Sequence, residues 1–212
     1  MSTVIKVLLV DDHAVVREGY RRLLERDSDI QIVGEAGNAA QACESALSAN
    51  PDVVVMDIAL PDVSGIEAMR RILSRQPQLR VLIFSMYGDA IYSSRALQAG
   101  ARGYLTKASA PEALVEAIHT VARGERYLSP DIAEATMASR SAQAPVGVDT
   151  LTAREFEVLR LLAQGETVKR IGEKLGLSEK TVANHQSVIR EKLGAKNGAQ
   201  LARIAARMGL AL

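Results

Sequence analysis

The chain has 212 residues, of which 48% are hydrophobic, and its 26 lysines and arginines nearly balance its 25 acidic residues. This length allows one large domain or two ordinary ones, and no apolar stretch approaches the ~18 residues of a membrane-spanning helix. Cys43 is the only cysteine, which excludes a disulfide within the chain, and no signal peptide precedes Lys6. We therefore expect a cytoplasmic protein.

The near-neutral total conceals an uneven distribution of charge along the chain. Residues 1–123 carry 13 basic and 15 acidic residues, residues 124–150 carry 2 and 4, and residues 151–212 carry 11 and 6. We expect a domain over 1–123, a linker over 124–150 and a second domain over 151–212. The basic character of the second domain favours a polyanionic partner.

In the first half of the chain, short apolar runs alternate five times with helical patterns. This alternation predicts an α/β domain with a doubly wound, five-stranded parallel sheet. The helical patterns cover Ala14–Arg26, Ala39–Ala49, Gly65–Arg75, Asp89–Ala99 and Pro111–Arg123. In the first of these, Val15, Val16 and Tyr20 are among the residues expected to face the core.

Four of the apolar runs end on polar residues of different kinds. These residues are Asp11 with Asp12, Asp57, Ser85 and Lys107. Because ligands of a parallel sheet collect outside the carboxyl ends of its strands, we expect all of them at one site. Three close carboxylates need a cation or protons, and Mg²⁺ suits such oxygen ligands while leaving room for a phosphoryl oxygen. The set predicts phosphoryl transfer, with Asp57 as nucleophile and Lys107 as the stabilising cation.

The motifs around these residues resemble the receiver domain of two-component response regulators over roughly the first 120 residues. The matching stretches are Val10–His13, Met56-Asp57, Leu60–Gly65 with Asp62, Phe84-Ser85 and Gly103–Lys107. The resemblance implies a flavodoxin-like fold and transfer of a phosphoryl group from a sensor histidine kinase to Asp57. It also implies Mg²⁺ held by Asp11 or Asp12 together with Asp57. Finally, it implies a switch in which Ser85 turns toward the phosphoryl group and Tyr104 follows inward.

The surroundings of Asp57 also bear on the lifetime of such a phosphate. Ala59 lies two residues after Asp57, and Tyr87 lies in the same position after Ser85. Because an apolar residue at position 59 offers an attacking water no hydrogen bond, we expect slow self-dephosphorylation. We expect no enzymatic turnover, because the loops after the strands are too short to form a substrate pocket.

Between the two expected domains, the apolar periodicity stops. Ser139–Gly147 consists largely of small residues with a proline and a glycine, which is typical of an exposed linker. Before it, Ser129–Ala138 has a cap residue followed by Pro130 and predicts a short helix.

Residues 151–212 predict four helices. Thr152 and Glu155 have the spacing of a capping box at the start of the first helix. The tight turn at Gly176–Ser178 joins two short helices and indicates a helix-turn-helix, whose second helix enters the major groove of DNA. The predicted DNA contacts are Lys169, Lys180, Thr181, Ala183, Asn184, Ser187, Arg190 and Lys192. A helical bundle with a solvated basic face is the alternative interpretation.

Leu151–Glu155, Leu177–Val182 and Lys192–Gly194 resemble the LuxR-type helix-turn-helix. With the receiver, the chain resembles the NarL/FixJ group of transcription factors. This resemblance implies a phosphorylation-controlled homodimer on inverted-repeat promoter DNA, with RNA polymerase as a further partner. It implies a dimer contact on the last helix, at Leu201, Ile204, Ala205 and Met208. The same apolar stripe is also compatible with the core of so small a domain.

Two other functions stay open on the sequence alone. One is a Mg²⁺-dependent phosphatase in which an aspartyl phosphate is a turnover intermediate. The other is a phosphorylation-independent DNA-binding regulator whose receiver serves only as a dimerisation scaffold. Catalytic turnover on small phosphomonoesters would favour the first, and failure of Asp57 to accept phosphate would favour the second.

Overall fold

The computed structural model describes residues 4–61, 63–86, 88, 90–139, 150–207 and 210. Asp62, Tyr87, Asp89, Met208 and the linker residues 140–149, on which expectations were placed above, lie outside the described residues. The chain divides into two compact units, Met1–Ser141 and Ala142–Leu212. Within the described part of the chain, no helix has both the length and the apolar character needed to cross a membrane.

The first unit is built on a parallel sheet. Its strands are β1 (Ile5–Val10), β2 (Ile30–Ala36), β3 (Val53–Met56), β4 (Arg80–Ser85), β5 (Gly103–Thr106) and β6 (Tyr127–Leu128). They lie in the order β2-β1-β3-β4-β5-β6. The doubly wound α/β fold is confirmed, but the prediction of five strands is wrong, because β6 pairs in parallel with β5. A strand of two residues is too short to show an alternating pattern in the sequence.

Helices cover both faces of this sheet. They are α1 (Ala14–Leu24), α2 (Ala39–Ala49), α3 (Gly65–Arg75), α4 (Ala90–Gln98), α5 (Pro111–Ala122) and α6 (Pro130–Ser139). Val7 and Leu9 of β1 share one buried cluster with residues of α1 and α5. The intervening Leu8 faces the side on which α2 packs. The continuous apolar runs of the strands are thus explained by burial on both faces.

The segment after α5 differs from the linker that the sequence predicted. A short helix does form there, but α6 packs against α4 and β5 of the first unit. Its Ile132 is completely buried. Up to Ser139, this part of the segment 124–150 therefore belongs structurally to the first unit.

Helix α1 packs on the sheet only through its later turns. Tyr20 meets the ring of Phe84 edge-on, with 4.7 Å between centroids, and Leu24 is fully buried. Val15 and Val16 are 88% and 37% exposed, so the expectation that they face the core is wrong. The helical period indicates which residues share a face, but not how far along the helix that face is covered.

The second unit contains four helices among its described residues. They are α7 (Ala153–Ala163), α8 (Val168–Leu175), α9 (Glu179–Lys192) and α10 (Gly198–Arg207). The predicted capping box is confirmed: the Glu155 N–H donates to Thr152 and the Thr152 N–H donates to the Glu155 carboxylate. Gly176 ends α8 in the left-handed region, with φ of 65°, which gives the tight turn before α9.

Candidate functional site

The carboxyl ends of β1, β3 and β5 bring three charged side chains together. Nζ of Lys107 lies 2.5 Å from Oδ2 of Asp57 and 2.5 Å from Oδ2 of Asp11. Each of the three side chains is at most 8% exposed. One buried ammonium group is thus shared by two buried carboxylates, as the order of strand ends predicted.

The backbone around these residues fixes the positions of the carboxylates. The Asp57 N–H donates to the Val10 carbonyl at 2.9 Å, which extends the pairing of β1 with β3 by one residue. The second oxygen of Asp57 accepts the Ala59 N–H at 3.2 Å, and that of Asp11 accepts the His13 N–H at 2.8 Å. Both carboxylates are therefore held at both oxygens, and Ala59 acts through its backbone.

Burial and the neighbouring charges set the protonation of this group. Burial opposes the charge on Lys107, but the two carboxylates outweigh it and raise the pKa of Lys107, so the ammonium form persists. Burial raises the pKa of Asp57, and Asp11 adds to this effect, while the ammonium group of Lys107 offsets only part of it. Two carboxylates share a single cation, so the ionised form of Asp57 carries a cost to stability.

This cost predicts that Asp57→Asn stabilises the unphosphorylated protein without divalent ions, by about 1 kcal/mol. The folded state binds the Asp57 proton more tightly than the unfolded chain, so the stability from this group is present at acidic pH and lost as pH rises. We expect the thermal midpoint of the variant in EDTA to exceed that of the wild type at neutral pH. The difference should shrink toward acidic pH.

A matched control for this prediction is Glu44→Gln, which removes one negative charge from an exposed position of α2. It should leave the midpoint nearly unchanged. Added Mg²⁺ should stabilise the wild type more than Asp57→Asn, because only the wild type has all three carboxylates. A lower midpoint for Asp57→Asn in EDTA would contradict the assignment of a costly charge at this position.

Asp12 lies at the open side of the site. His13 Nδ1 lies 2.6 Å from Oδ1 of Asp12 and 3.5 Å from Oδ1 of Asp11. One ligand atom from each of Asp11, Asp12 and His13 falls within 4.8 Å of the others, a spacing that suits a cation. Asp57 is not in this group; its carboxylate and that of Asp11 both contact the ammonium group of Lys107.

The two predicted switch residues are both buried. Ser85 ends β4, and its carbonyl accepts the Lys107 N–H at 2.8 Å, which joins the ends of β4 and β5. Tyr104 of β5 is completely buried, so its ring already points inward in this structure.

Two contributors to the site were missed in the sequence. A Cβ placed on Gly65 would lie 1.9 Å from the carbonyl oxygen of Asp57, so only glycine allows α3 to begin against that peptide. The sequence indicates this close approach only through the glycine that directly follows the cap residue Ser64. Arg17 of α1 donates to the Asp11 carbonyl at 2.5 Å and to Glu35 at 2.9 Å. No spacing in the sequence pairs these residues.

In the second unit, α8 and α9 form the expected helix-turn-helix. A Cβ on Gly172 would lie 2.7 Å from the Leu177 carbonyl oxygen, which shows how closely α8 approaches the turn. Arg154 of α7 donates to the Leu175 carbonyl at 2.6 Å and so holds the end of α8. The turn is thereby fixed from two sides.

The predicted DNA contacts differ in exposure. Lys169, Lys180, Ala183, Asn184 and Ser187 are exposed, whereas Thr181, Arg190 and Lys192 are half-buried. Oγ1 of Thr181 lies 2.8 Å from the cap oxygen of Ser178, and Arg190 donates to Ser187 at 3.3 Å. The early part of α9 therefore presents the polar side chains of Lys180, Asn184 and Ser187 to solvent.

Lys192 has internal partners instead of a free side chain. Its ammonium group donates to both oxygens of Glu155, at 2.9 and 2.7 Å, and to the Thr150 carbonyl at 3.0 Å. The expectation of a phosphate contact overlooked this pairing, which ties the end of α9 to the start of α7.

The predicted dimer stripe on α10 also packs inside the domain. Leu201, Ile204 and Ala205 are at most 8% exposed, and α10 packs against α7. A domain of this size uses its few apolar residues for its own core, so these three side chains are not available to a second copy. Core packing of this stripe, the alternative given above, is therefore what this structure shows. The exposed face of α10 carries Ala199, Ala202 and Arg203.

Comparison with known proteins matches both units to families. Residues 7–119 match the response regulator receiver domain, and residues 149–205 match the LuxR family of bacterial regulatory proteins. The chain is 41% identical over 199 residues to the transcriptional regulatory protein UhpA of Salmonella typhimurium, which covers 93% of this chain and 96% of UhpA.

Two solved structures are similar. A LuxR-family two-component response regulator from Aurantimonas sp. SI85-9A1 is 44% identical, with a TM-score of 0.64, over 66% of this chain and 99% of that one. The two-component response regulator RcsB in complex with DNA is 25% identical, with a TM-score of 0.61, over 97% of this chain and 99% of that one.

The sheet with its acidic site and the receiver match define the class: this chain is a two-component response regulator. Its second unit places it more narrowly among the DNA-binding transcription regulators of the NarL/FixJ family, which join a receiver to a LuxR-type helix-turn-helix.

Proposed function

We propose that Asp57 accepts a phosphoryl group from the phosphohistidine of a sensor histidine kinase, and that this modification controls promoter binding. The observation that carries the proposal is the buried carboxylate of Asp57, which shares the ammonium group of Lys107 with Asp11. An oxygen of Asp57 forms the bond to phosphorus as the bond from phosphorus to the histidine nitrogen breaks. Lys107 then stabilises charge on the phosphoryl oxygens.

The acidic residues fit a bound Mg²⁺ ion. Asp11 and Asp57 converge on one cation, and Asp12 adds a carboxylate on the open side. We assign Asp11, Asp12 and Asp57 as the residues that would hold Mg²⁺, which would neutralise these carboxylates and the incoming phosphoryl group. The chain itself fixes the acceptor, through the Ala59 N–H and Lys107.

Incubation with Mg²⁺ and acetyl phosphate tests the acceptor. We expect the intact mass of the wild type to rise by a single phosphate, ~80 Da, and that of Asp57→Ala to stay unchanged. Lys107→Met should slow the reaction, because the charge on the phosphoryl oxygens loses its cation. No adduct on the wild type would favour a phosphorylation-independent regulator with the receiver as a dimerisation scaffold.

The lifetime of the adduct separates a regulator from an enzyme. Ala59 offers an attacking water no polar side chain. We therefore propose slow self-dephosphorylation and no turnover of added phosphomonoesters. Steady release of phosphate from such a substrate would instead indicate a phosphatase.

We propose that α9 enters the major groove of promoter DNA. Asn184, Ala183 and Ser187 face solvent on its early part, where Asn184 can pair with adenine. Lys169 and Lys180 are exposed and are assigned to phosphates, with support from Thr181 and Arg190. The related RcsB was solved as a complex with DNA. Because promoter DNA is its proposed target, we propose that the protein acts in the cytoplasm, with RNA polymerase as a further partner.

We propose a homodimer on DNA that uses the exposed face of α10 instead of its buried stripe. Ala199 and Ala202 are small enough to allow two helices to approach closely, and Arg203 borders them. An inverted-repeat site would match the two-fold symmetry of such a dimer. Analytical ultracentrifugation with and without DNA tests this proposal. We expect a dimer of the wild type on DNA and no dimer of Ala202→Glu.

A further inference from the structure

The start of α6 is attached to the end of β5 by a side-chain hydrogen bond. Oγ1 of Thr106 donates to Oδ2 of Asp131 at 3.0 Å and lies 3.0 Å from Oγ of Ser109. Thr106 is 4% exposed, whereas Asp131 is exposed, so only the donor end of this bond is shielded from water. The Ser129 N–H adds a bond to the Tyr104 carbonyl at 3.1 Å. Two hydrogen bonds therefore hold the start of α6 against the end of β5.

This hydrogen bond lies between the two residues that the phosphoryl group is proposed to attract. Thr106 directly precedes Lys107, whose ammonium group contacts Asp57. On the other side is the segment that follows Ser85: a Cβ on Gly88 would lie 3.5 Å from Cγ2 of Thr106 and 3.9 Å from Oδ2 of Asp131. A movement of Lys107 or of the segment after Ser85 would therefore disturb the contact between Thr106 and Asp131.

Helix α6 lies outside the part of the chain that matches the receiver family, residues 7–119. It is the last described element before the second unit, which begins at Ala142. Helix α6 is therefore the described element of the first unit that lies nearest in sequence to the DNA-binding helices.

We propose that the hydrogen bond between Thr106 and Asp131 is a latch that holds α6 on the unphosphorylated first unit and is loosened by phosphorylation of Asp57. The inference rests on the function proposed above. The phosphoryl group draws the hydroxyl of Ser85 and the ammonium group of Lys107 toward itself. Both movements displace the surroundings of the latch, which biases it toward its open state.

Amide hydrogen exchange of the full chain tests the latch, with intact mass recorded on the same samples. In the wild type, phosphorylation with acetyl phosphate and Mg²⁺ should speed exchange over residues 130–139 by about fivefold, the factor for loss of one hydrogen bond. Thr106→Val keeps the side-chain shape but removes the donor. Its α6 should exchange fast before phosphorylation and show no further change after it.

Three further variants separate a latch from a general loss of packing. Thr106→Ser and Asp131→Asn keep the donor and the acceptor, and both should respond as the wild type does. Asp131→Ala should behave like Thr106→Val, and it supplies the same test if Thr106→Val does not fold.

The results also distinguish this inference from the proposed function. A phosphate adduct without a change of exchange in α6 overturns the latch alone, as does a normal response of Thr106→Val or Asp131→Ala. Absence of an adduct on the wild type overturns the proposed function, and with it the signal that would open the latch.

Discussion

Replacing Gly65 with alanine is expected to destabilise the first unit by about 3 kcal/mol and to abolish phosphoryl acceptance at Asp57. The added Cβ would lie 1.9 Å from the carbonyl oxygen of Asp57 and 3.1 Å from Cα of Ile58. Both neighbours belong to the backbone, so neither can turn aside as the end of a flexible side chain would. The peptide after Asp57 must shift, and the carboxylate then leaves its position beside Lys107.

Gly19 provides the matched control for this substitution. It lies inside α1, and a Cβ there would have no neighbour within 4 Å. Gly19→Ala should therefore stabilise the protein by about 0.5–1 kcal/mol, because alanine loses less backbone entropy in a helix. Urea unfolding followed by circular dichroism measures both changes, and intact mass after acetyl phosphate treatment measures acceptance. Wild-type stability and acceptance in Gly65→Ala would show that the close approach to Asp57 is unnecessary.

The close approach at Gly65 also illustrates which parts of the site are predictable. Asp11, Asp57 and Lys107 follow apolar runs, and parallel pairing places the ends of such runs at one edge of the sheet. Their convergence is therefore a consequence of strand order, which the sequence pattern indicates directly. The capping box of α7 could be predicted equally well, because the Thr152 side chain bonds an N–H only three residues away.

The features that escaped prediction depend on contacts between distant parts of the chain. The strand β6 and the burial of α6 depend on pairing with β5, which no local periodicity reports. The apolar stripe of α10 has the same pattern whether it meets α7 or a second copy. Val15 is exposed because α1 packs on the sheet only through its later turns. Local patterns define faces, and only tertiary packing decides what covers them.

Lys192 is the predicted DNA contact whose partners most clearly indicate another role. Lys192→Met is expected to destabilise the second unit by about 2 kcal/mol, because Glu155 is 6% exposed and would keep its charge without a cation beside it. Although burial opposes it, the hydrogen bonds from Lys192 and the Thr152 N–H lower the pKa of Glu155. The stability from this pair is therefore present at neutral pH and lost as pH falls. The deficit of the variant should shrink in acid, once Glu155 is protonated in both proteins.

Lys180→Met is the matched variant on the exposed part of the same helix. It removes the same charge, but from a side chain that faces solvent at the start of α9. We expect unchanged amide exchange over residues 151–207 and weaker binding to duplex DNA of any sequence, with a salt dependence reduced by about one phosphate. Lys192→Met should show faster exchange over the same residues and an unchanged salt dependence. If Lys192→Met instead altered only the salt dependence of DNA binding, the structural role of Lys192 would be contradicted. Lys192 would then be assigned to the DNA-binding surface, and the second unit would not need it as a partner for Glu155.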